Sequence, residues 1–266
     1  MSDASRQPSP TPASEPGTVP PGPAPLRRTF RVWVVGLTLL VIAVIVALAG
    51  GGWWAMGQWA DQKSFLAEQT ARSKLQKPGM IVVVDPETKH VTCISLAAGH
   101  VGAAILHQLP ALYRLGSFSA PKTDIGDESL KALGQMSELA SLDLSDTAVS
   151  DVGVSYLQHL PAMVSLYLAG TGVTDRGLES VEHLDTLHIL DLSRTKVTDA
   201  GLARLVNLPH LDWVLLGGDR ITDAGLARLS ANKSIRRLSL QKTGVTAEGI
   251  RKIKQVIPDL KTVDGP

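Results

Sequence analysis

A single cysteine, Cys93, occurs in 266 residues, which excludes an internal disulfide framework and a cysteine-based zinc site. Aromatic side chains make up only 4% of the chain. Four of the five tryptophans (Trp33, Trp53, Trp54, Trp59) cluster near the N-terminal end, so aromatic packing does not organise the remainder. No charge of one sign dominates: 26 basic side chains stand against 25 acidic ones. A near-neutral chain offers no basic face of the kind nucleic acid requires, which excludes nucleic acid as a partner. Catalytic signatures are also missing: there is no G-x-S-x-G, no H-E-x-x-H, no P-loop and no G-x-G-x-x-G following a strand. The expectation is a protein that is not an enzyme and carries no cofactor.

What is present is unevenly spread. Eight of the 16 prolines fall in the first 25 residues, and residues 1–29 read as a disordered Pro-rich tail, because such composition buries too little apolar surface to offset chain entropy. Pro20 and Pro23 have P-x-x-P spacing, but a flexible tail is the simpler reading. From Val32 to Gly57 there is no charge at all. Residues 30–57 are long enough for one transmembrane helix, with Trp33 at one end and Trp53, Trp54 and Trp59 at the other, where membrane interfaces favour tryptophan. Arg27, Arg28 and Arg31 precede the span, whereas Asp61 comes before Lys63 after it. The positive-inside rule then puts the N-terminus in the cytoplasm and the rest outside, as an uncleaved signal anchor in the cell membrane. Ala47-Leu48-Ala49 also fits the end of a signal peptide, so secretion after cleavage following Ala49 stands as the alternative. Residues 58–79 are rich in helix formers up to Pro78-Gly79 and read as a stalk helix and linker.

After residue 90 the chain repeats itself every 24 residues. Leu142, Leu166, Leu190, Val214 and Leu238 form one column; Leu144, Leu168, Leu192, Leu216 and Leu240 form a second. Val149, Val173, Val197, Ile221 and Val245 form a third, and Gly153, Gly177, Gly201, Gly225 and Gly249 a fourth. Two looser copies precede these five, around Val91-Ile94-Leu96 and Phe118-Thr123-Ile125-Leu130. Within a unit, Leu190-Asp191-Leu192 alternates like a half-buried strand. Ser193 to Lys196 turns the chain, and Thr198-Asp199-Ala200-Gly201 is expected to open a helix, with Thr198 as its N-cap, that carries Leu202, Leu205 and Leu208 on one face. Such units must stack to bury their apolar sides. The stretch 80–90 is expected to begin a cap hairpin around Asp85-Pro86-Glu87-Thr88, and Ile257 to Val263 a short C-terminal cap.

The pattern L-x-x-L-x-L-x-x-T-x-V-T-D-x-G-L resembles the leucine-rich repeat, in the bacterial version with Thr at the usual Asn/Cys position, similar to the cysteine-containing repeat subfamily. The resemblance covers about 91–260. It implies an α/β solenoid over 91–266, of about seven 24-residue repeats, with a parallel sheet on the concave face and helices on the convex face. The Thr column is Thr123, Thr147, Thr171, Thr195 and Thr243, with Asp219 as the departure. By the resemblance, these hydroxyls bond backbone groups of the turn.

Candidate chemistry is sparse. Asp127, Asp151, Asp175, Asp199 and Asp223 would form a ladder, read here as first-turn carboxylates beside helix-capping Ser or Thr rather than a calcium track. His159 and His183 fall in one column, but no third ligand follows, so no metal is expected. The outward positions of the strands are more informative. One column reads Ser141, Ser165, Ile189, Trp213 and Arg237; the next reads Asp143, Tyr167, Asp191, Leu215 and Ser239. Trp213, Tyr167, Leu215 and Ile189 form a patch, with Asp143 and Asp191 to one side and Arg194, Arg236 and Arg237 near the other. Exposed Trp and Tyr beside Arg is the composition of a binding hot spot. The expected function is recognition of a protein or other ligand by the concave face of a membrane-anchored, extracytoplasmic module. The alternative is a structural, envelope-organising protein that self-associates or binds cell wall. Neither the partner nor the oligomeric state is legible in the sequence.

Overall fold

Two buried leucines separated by one outward residue leave room for only a short strand per unit, and the period of 24 stacks those strands in register. The computed structural model describes residues 52–75, 79–99, 103–218 and 220–265. Among the described residues nine strands form one sheet in strict chain order. They are β1 (Met80–Val84), β2 (Val91–Leu96), β3 (Ser117–Ser119), β4 (Ser141–Asp143), β5 (Ser165–Tyr167), β6 (Ile189–Asp191), β7 (Trp213–Leu215), β8 (Arg237–Ser239) and β9 (Thr262–Asp264). β1 and β2 are antiparallel, and every later pairing is parallel. Between strands the chain returns through short helices: α2 (Ala103–Leu106), α3 (Asp127–Leu133), α4 (Asp151–Ser155), α5 (Leu178–Val181), α6 (Asp223–Leu229) and α7 (Ala247–Val256). The return between β6 and β7 is a 3-10 helix, Gly201–Asn207, that starts from Ala200; Thr198 is not its cap residue, as the sequence led one to expect, although its hydroxyl accepts from the Ala200 N–H. This is the architecture of an α/β solenoid.

The core runs the length of the stack as layers of leucine. Leu142, Leu166, Leu190, Val214 and Leu238 are all at most 1% exposed. The Leu144 column is buried with them. Where other units place Leu160, Leu184 and Leu208, the next has Asn232, buried yet fully used: its amide donates to the Leu205 and Leu208 carbonyls, and its oxygen accepts from the Ser234 N–H. A polar group buried without such partners would be costly. The threonines donate to the carbonyl three residues back, from Thr123 to Ala120, Thr147 to Leu144, Thr171 to Leu168, Thr195 to Leu192 and Thr243 to Leu240, at 2.6–2.7 Å. Asp219, the departure from that column, lies outside the described residues. In the same turns, Lys122, Asp146, Arg194 and Lys242 adopt positive φ near 57°, and Gly170 and Gly218 take the equivalent places. Each turn from β3 to β8 thus takes a positive φ at this position, which only two glycines announce.

The chain divides into two compact units, 1–59 and 60–266. The expected tail (1–29) and nearly all of the expected membrane segment (30–57) lie outside the described residues. Among the described residues no helix is long and apolar enough to cross a membrane. The helix α1 (Gly52–Leu75) covers most of the stretch read as a stalk. Its C-terminal end is buried rather than free: Glu68, Ala71 and Leu75 are at most 1% exposed. Glu68 accepts from the Val91 N–H at 2.5 Å and pairs with His90 Nδ1 at 2.6 Å. Phe65 and Tyr113 pack edge-on against the His90 ring.

The aspartate ladder has a different basis from the one the sequence suggested. Each carboxylate reaches forward into the next unit instead of serving only its own first turn. Asp127 accepts from the N–H and hydroxyl of Ser150, Asp151 from Thr174, Asp175 from Thr198, Asp199 from Thr222 and Asp223 from Thr246, at 2.5–2.8 Å. The Thr246 hydroxyl, with its backbone N–H, holds the Asp223 carboxyl below its ordinary value. A group depressed in the folded state contributes stability above the usual carboxylate range and loses it as pH falls through its folded value. The destabilisation caused by Thr246→Val should therefore be larger at pH 7 than at pH 3 in urea unfolding. A residue of it should persist at both, because Thr246 also caps α7 through the Gly249 N–H.

Candidate recognition face

The parallel pairing aligns the outward side chains into straight rows. One row runs Cys93, Ser117, Ser141, Ser165, Ile189, Trp213 and Arg237; the other runs Ser95, Ser119, Asp143, Tyr167, Asp191, Leu215, Ser239 and Asp264. Adjacent strands lie about 4.8 Å apart, so neighbours in a row touch. From β2 to β4 the face is a floor of small side chains, mostly serine. The C-terminal half rises into Tyr167, Ile189, Trp213 and Leu215, all half-buried.

Trp213 is the best-supported of these. The Arg237 guanidinium lies 4.7 Å from its ring centroid, and the same guanidinium is held by two bonds to Asp212 Oδ2, at 3.1 and 2.5 Å. Asp212 precedes the strand and received no role from the sequence, because nothing in a one-dimensional pattern pairs it with a residue 25 positions on. The result is an aromatic platform with its cation already fixed, so little side-chain freedom is left to lose on binding. Asp143 and Asp191 flank Tyr167 on the neighbouring strands. Each uses Oδ1 to accept from the N–H two residues on, at Ser145 and Ser193. Asp143 also accepts weakly from the Ser119 hydroxyl, at 3.4 Å.

Two of the expected arginines lie elsewhere. Arg236 sits before the strand and turns to Asp259 in the C-terminal cap, at 3.6 Å. Arg194 belongs to the turn after β6 and pairs with Asp146 at 2.9 Å. Asp146 lies two units back, and Gly170 occupies the place between them: a Cβ there would meet Asp146 Oδ1 at 2.1 Å. Both arginines are structural ties, and Arg237 alone of the three belongs to the aromatic patch. Conversely, the sequence reading missed Ile81 and Val83. The antiparallel register sets Ile81 beside Ser95 and Val83 beside Cys93, which brings both onto the same face.

On the helix side, His159 and His183 line a shallow groove of about 680 Å³ with Glu182 and Asp185. Among the described residues no three His, Cys, Asp or Glu side chains converge as a metal set. A second groove, about 470 Å³, lies between α6 and α7 and is mainly apolar, with Ala227, Ile253 and Val256 in its wall.

Two segments, 138–157 and 183–206, match the family model described as a leucine-rich repeat. Among solved structures the chain is similar to an internalin from Listeria monocytogenes, at 19% identity and a TM-score of 0.51, over 60% of this chain and 44% of that one. It is also similar to a leucine-rich repeat protein of Leptospira interrogans, at 20% identity and a TM-score of 0.47, over 58% of this chain and 38% of that one. The chain therefore spans less than half the length of either. No curated protein matches it by sequence. At this identity the likeness to the internalin shows a shared fold, the leucine-rich repeat solenoid.

Proposed function

We propose that this chain is a recognition module, held at a membrane by residues 30–57, that presents its strand face to a protein partner outside the cytoplasm. The observation that carries the reading is the Trp213–Arg237–Asp212 platform beside Ile189, Leu215 and Tyr167, because rigid Trp, Tyr and Arg clusters contribute most of the binding energy at protein interfaces. The leucine-rich repeat fold supports it by offering a broad surface whose framework residues are all buried. The anchor rests on the uncharged run from Val32 to Gly57 with Arg27, Arg28 and Arg31 before it.

Trp213→Ala combined with Tyr167→Ala in the full-length chain should weaken partner binding at least about thirtyfold while leaving the thermal midpoint near that of the parent. Photo-crosslinking from position 215, followed by identification of the captured protein, supplies the partner for that titration. Unchanged binding by the double variant sinks the patch. The topology is tested separately through Cys93, the chain's single cysteine, which is partly exposed. A membrane-impermeant maleimide should label it in intact cells, and labelling only after lysis overturns the outward orientation.

A further inference from the structure

The N-terminal edge of the sheet carries an apolar surface that the recognition platform does not use. β1 is the outermost strand, and among the described residues it pairs with β2 alone. Its sequence, Met80-Ile81-Val82-Val83-Val84, has neither charge nor proline. The Ala97 N–H donates to the Gly79 carbonyl and the Asp85 N–H to the His90 carbonyl. Bonding alternates along an antiparallel pair, so Ile81 and Val83 bond β2 and the backbones of Met80, Val82 and Val84 point to the open edge. The side chains alternate in the other sense. Met80, Val82 and Val84 pack on the core, while Ile81 is 65% and Val83 47% exposed. Sheets ordinarily blunt such an edge with lysine, proline or a bulge. Here the one irregularity falls at the far end, between Val83 and Val84.

We infer that a second copy of this chain pairs with β1 along this edge, antiparallel, about a two-fold axis at Val82. The parity favours it: the outward backbone groups are centred on Val82, so a two-fold sets Val82 against Val82 and Met80 against Val84 of the second copy, each pair exchanging two bonds. Ile81 then lies opposite Val83 of the second copy, and the two exposed side chains cover one another. Charge is compatible as well, since an uncharged strand sets no like charges opposite each other. β9 at the other edge, with Lys261 before it and Asp264 within it, lacks that neutrality. Two five-residue strands bury less than the roughly 800 Å² per partner of a stable complex, so the pairing is weak and depends on local concentration. It is independent of the strand-face platform, and either can fail alone.

The test uses the full-length chain in detergent, with Cys93→Ser as background. Oxidising a mixture of Ile81→Cys and Val83→Cys chains should give the heterodisulfide in about tenfold excess over either homodisulfide, because only the mixed pair lies directly opposite at disulfide distance. Sedimentation equilibrium supplies the second measurement. Ile81→Lys with Val83→Lys should weaken self-association about tenfold, and Ile81→Lys with Val83→Glu should restore it by setting opposite charges across the pair. Both positions are exposed, so these variants leave the core intact. Homodisulfides equal to the mixed product, or association unaffected by the double lysine variant, overturn the inference.

Discussion

Gly201→Ala is expected to destabilise the solenoid by about 3 kcal/mol, far more than an exchange of two small residues ordinarily costs. A Cβ at Gly201 would lie 2.4 Å from Asp175 Oδ1 and 3.0 Å from Leu178 Cδ1. The carboxylate sits at the end of a side chain, but it is not free to swing away. It accepts from the Thr198 N–H at 2.7 Å and from the Thr198 hydroxyl at 2.6 Å, and moving it breaks both bonds. The same conflict recurs along the column: the Cβ-to-carboxylate distance would be 2.5 Å at Gly153, 2.7 Å at Gly177, 2.3 Å at Gly225 and 2.1 Å at Gly249. The glycine is thus required by the aspartate of the preceding unit, and a double-mutant cycle reads that dependence directly. Asp175→Ala alone should be destabilising, because it strands the Thr198 donors. In that background Gly201→Ala should cost about 1 kcal/mol or less, since its obstruction is gone. Additive losses in chemical denaturation would show that the glycine serves its own backbone and not its neighbour.

The second large effect is at the N-terminal end of the stack. Replacing His90 with alanine should loosen the C-terminal half of α1 by about 1–3 kcal/mol, because it leaves one oxygen of the wholly buried Glu68 side chain without its ring partner. Glu68→Leu should cost less, although it strands the Val91 N–H, since no side-chain oxygen is left in the interior without a partner. Amide exchange of residues 62–75 and 91–94 in the full chain measures both. The order of the two variants is the informative part. If Glu68→Leu is the more damaging, the carboxylate's hydrogen bond to Val91 outweighs its pairing with His90. A glutamate of this kind also explains why α1 does not end as a free stalk. Burial of Ala71 and Leu75 and the edge contacts of Phe65 and Tyr113 with the imidazole bind the incoming helix to the hairpin.

Much of the candidate face was legible because a parallel stack converts sequence spacing into position. Once Leu142 and Leu166 are recognised as equivalent, Ile189 and Trp213 must be neighbours, and so must Tyr167 and Asp191. What lay outside that arithmetic were contacts that leave the period. Asp212 reaches Arg237 across 25 residues, Arg194 reaches back two units to Asp146, and Arg236 turns to the C-terminal cap. Three arginines of similar appearance in the sequence thereby acquire different roles. Ile81 and Val83 were missed because β1 runs antiparallel and stands before the repeat, where no column predicts which side chains face outward.

The chain's lack of cysteine, aromatic content and net charge left it few means of holding a fold together. The sequence by itself determined the answer in outline: an apolar residue at every twenty-fourth position, in two columns two residues apart, specifies a stacked core, since no single unit can bury its own apolar side. It also determined which side chains share the open face. The tertiary structure alone decided how adjacent units are locked to one another. Capping serine or threonine, aspartate and glycine look like local helix-start signals when read along the chain. In space the aspartate belongs to the following unit's threonine, and the glycine exists to admit the preceding unit's carboxylate. Periodicity reveals that a residue recurs; only the approach of neighbouring units, with carboxylate and N–H brought within 2.8 Å, reveals for whom.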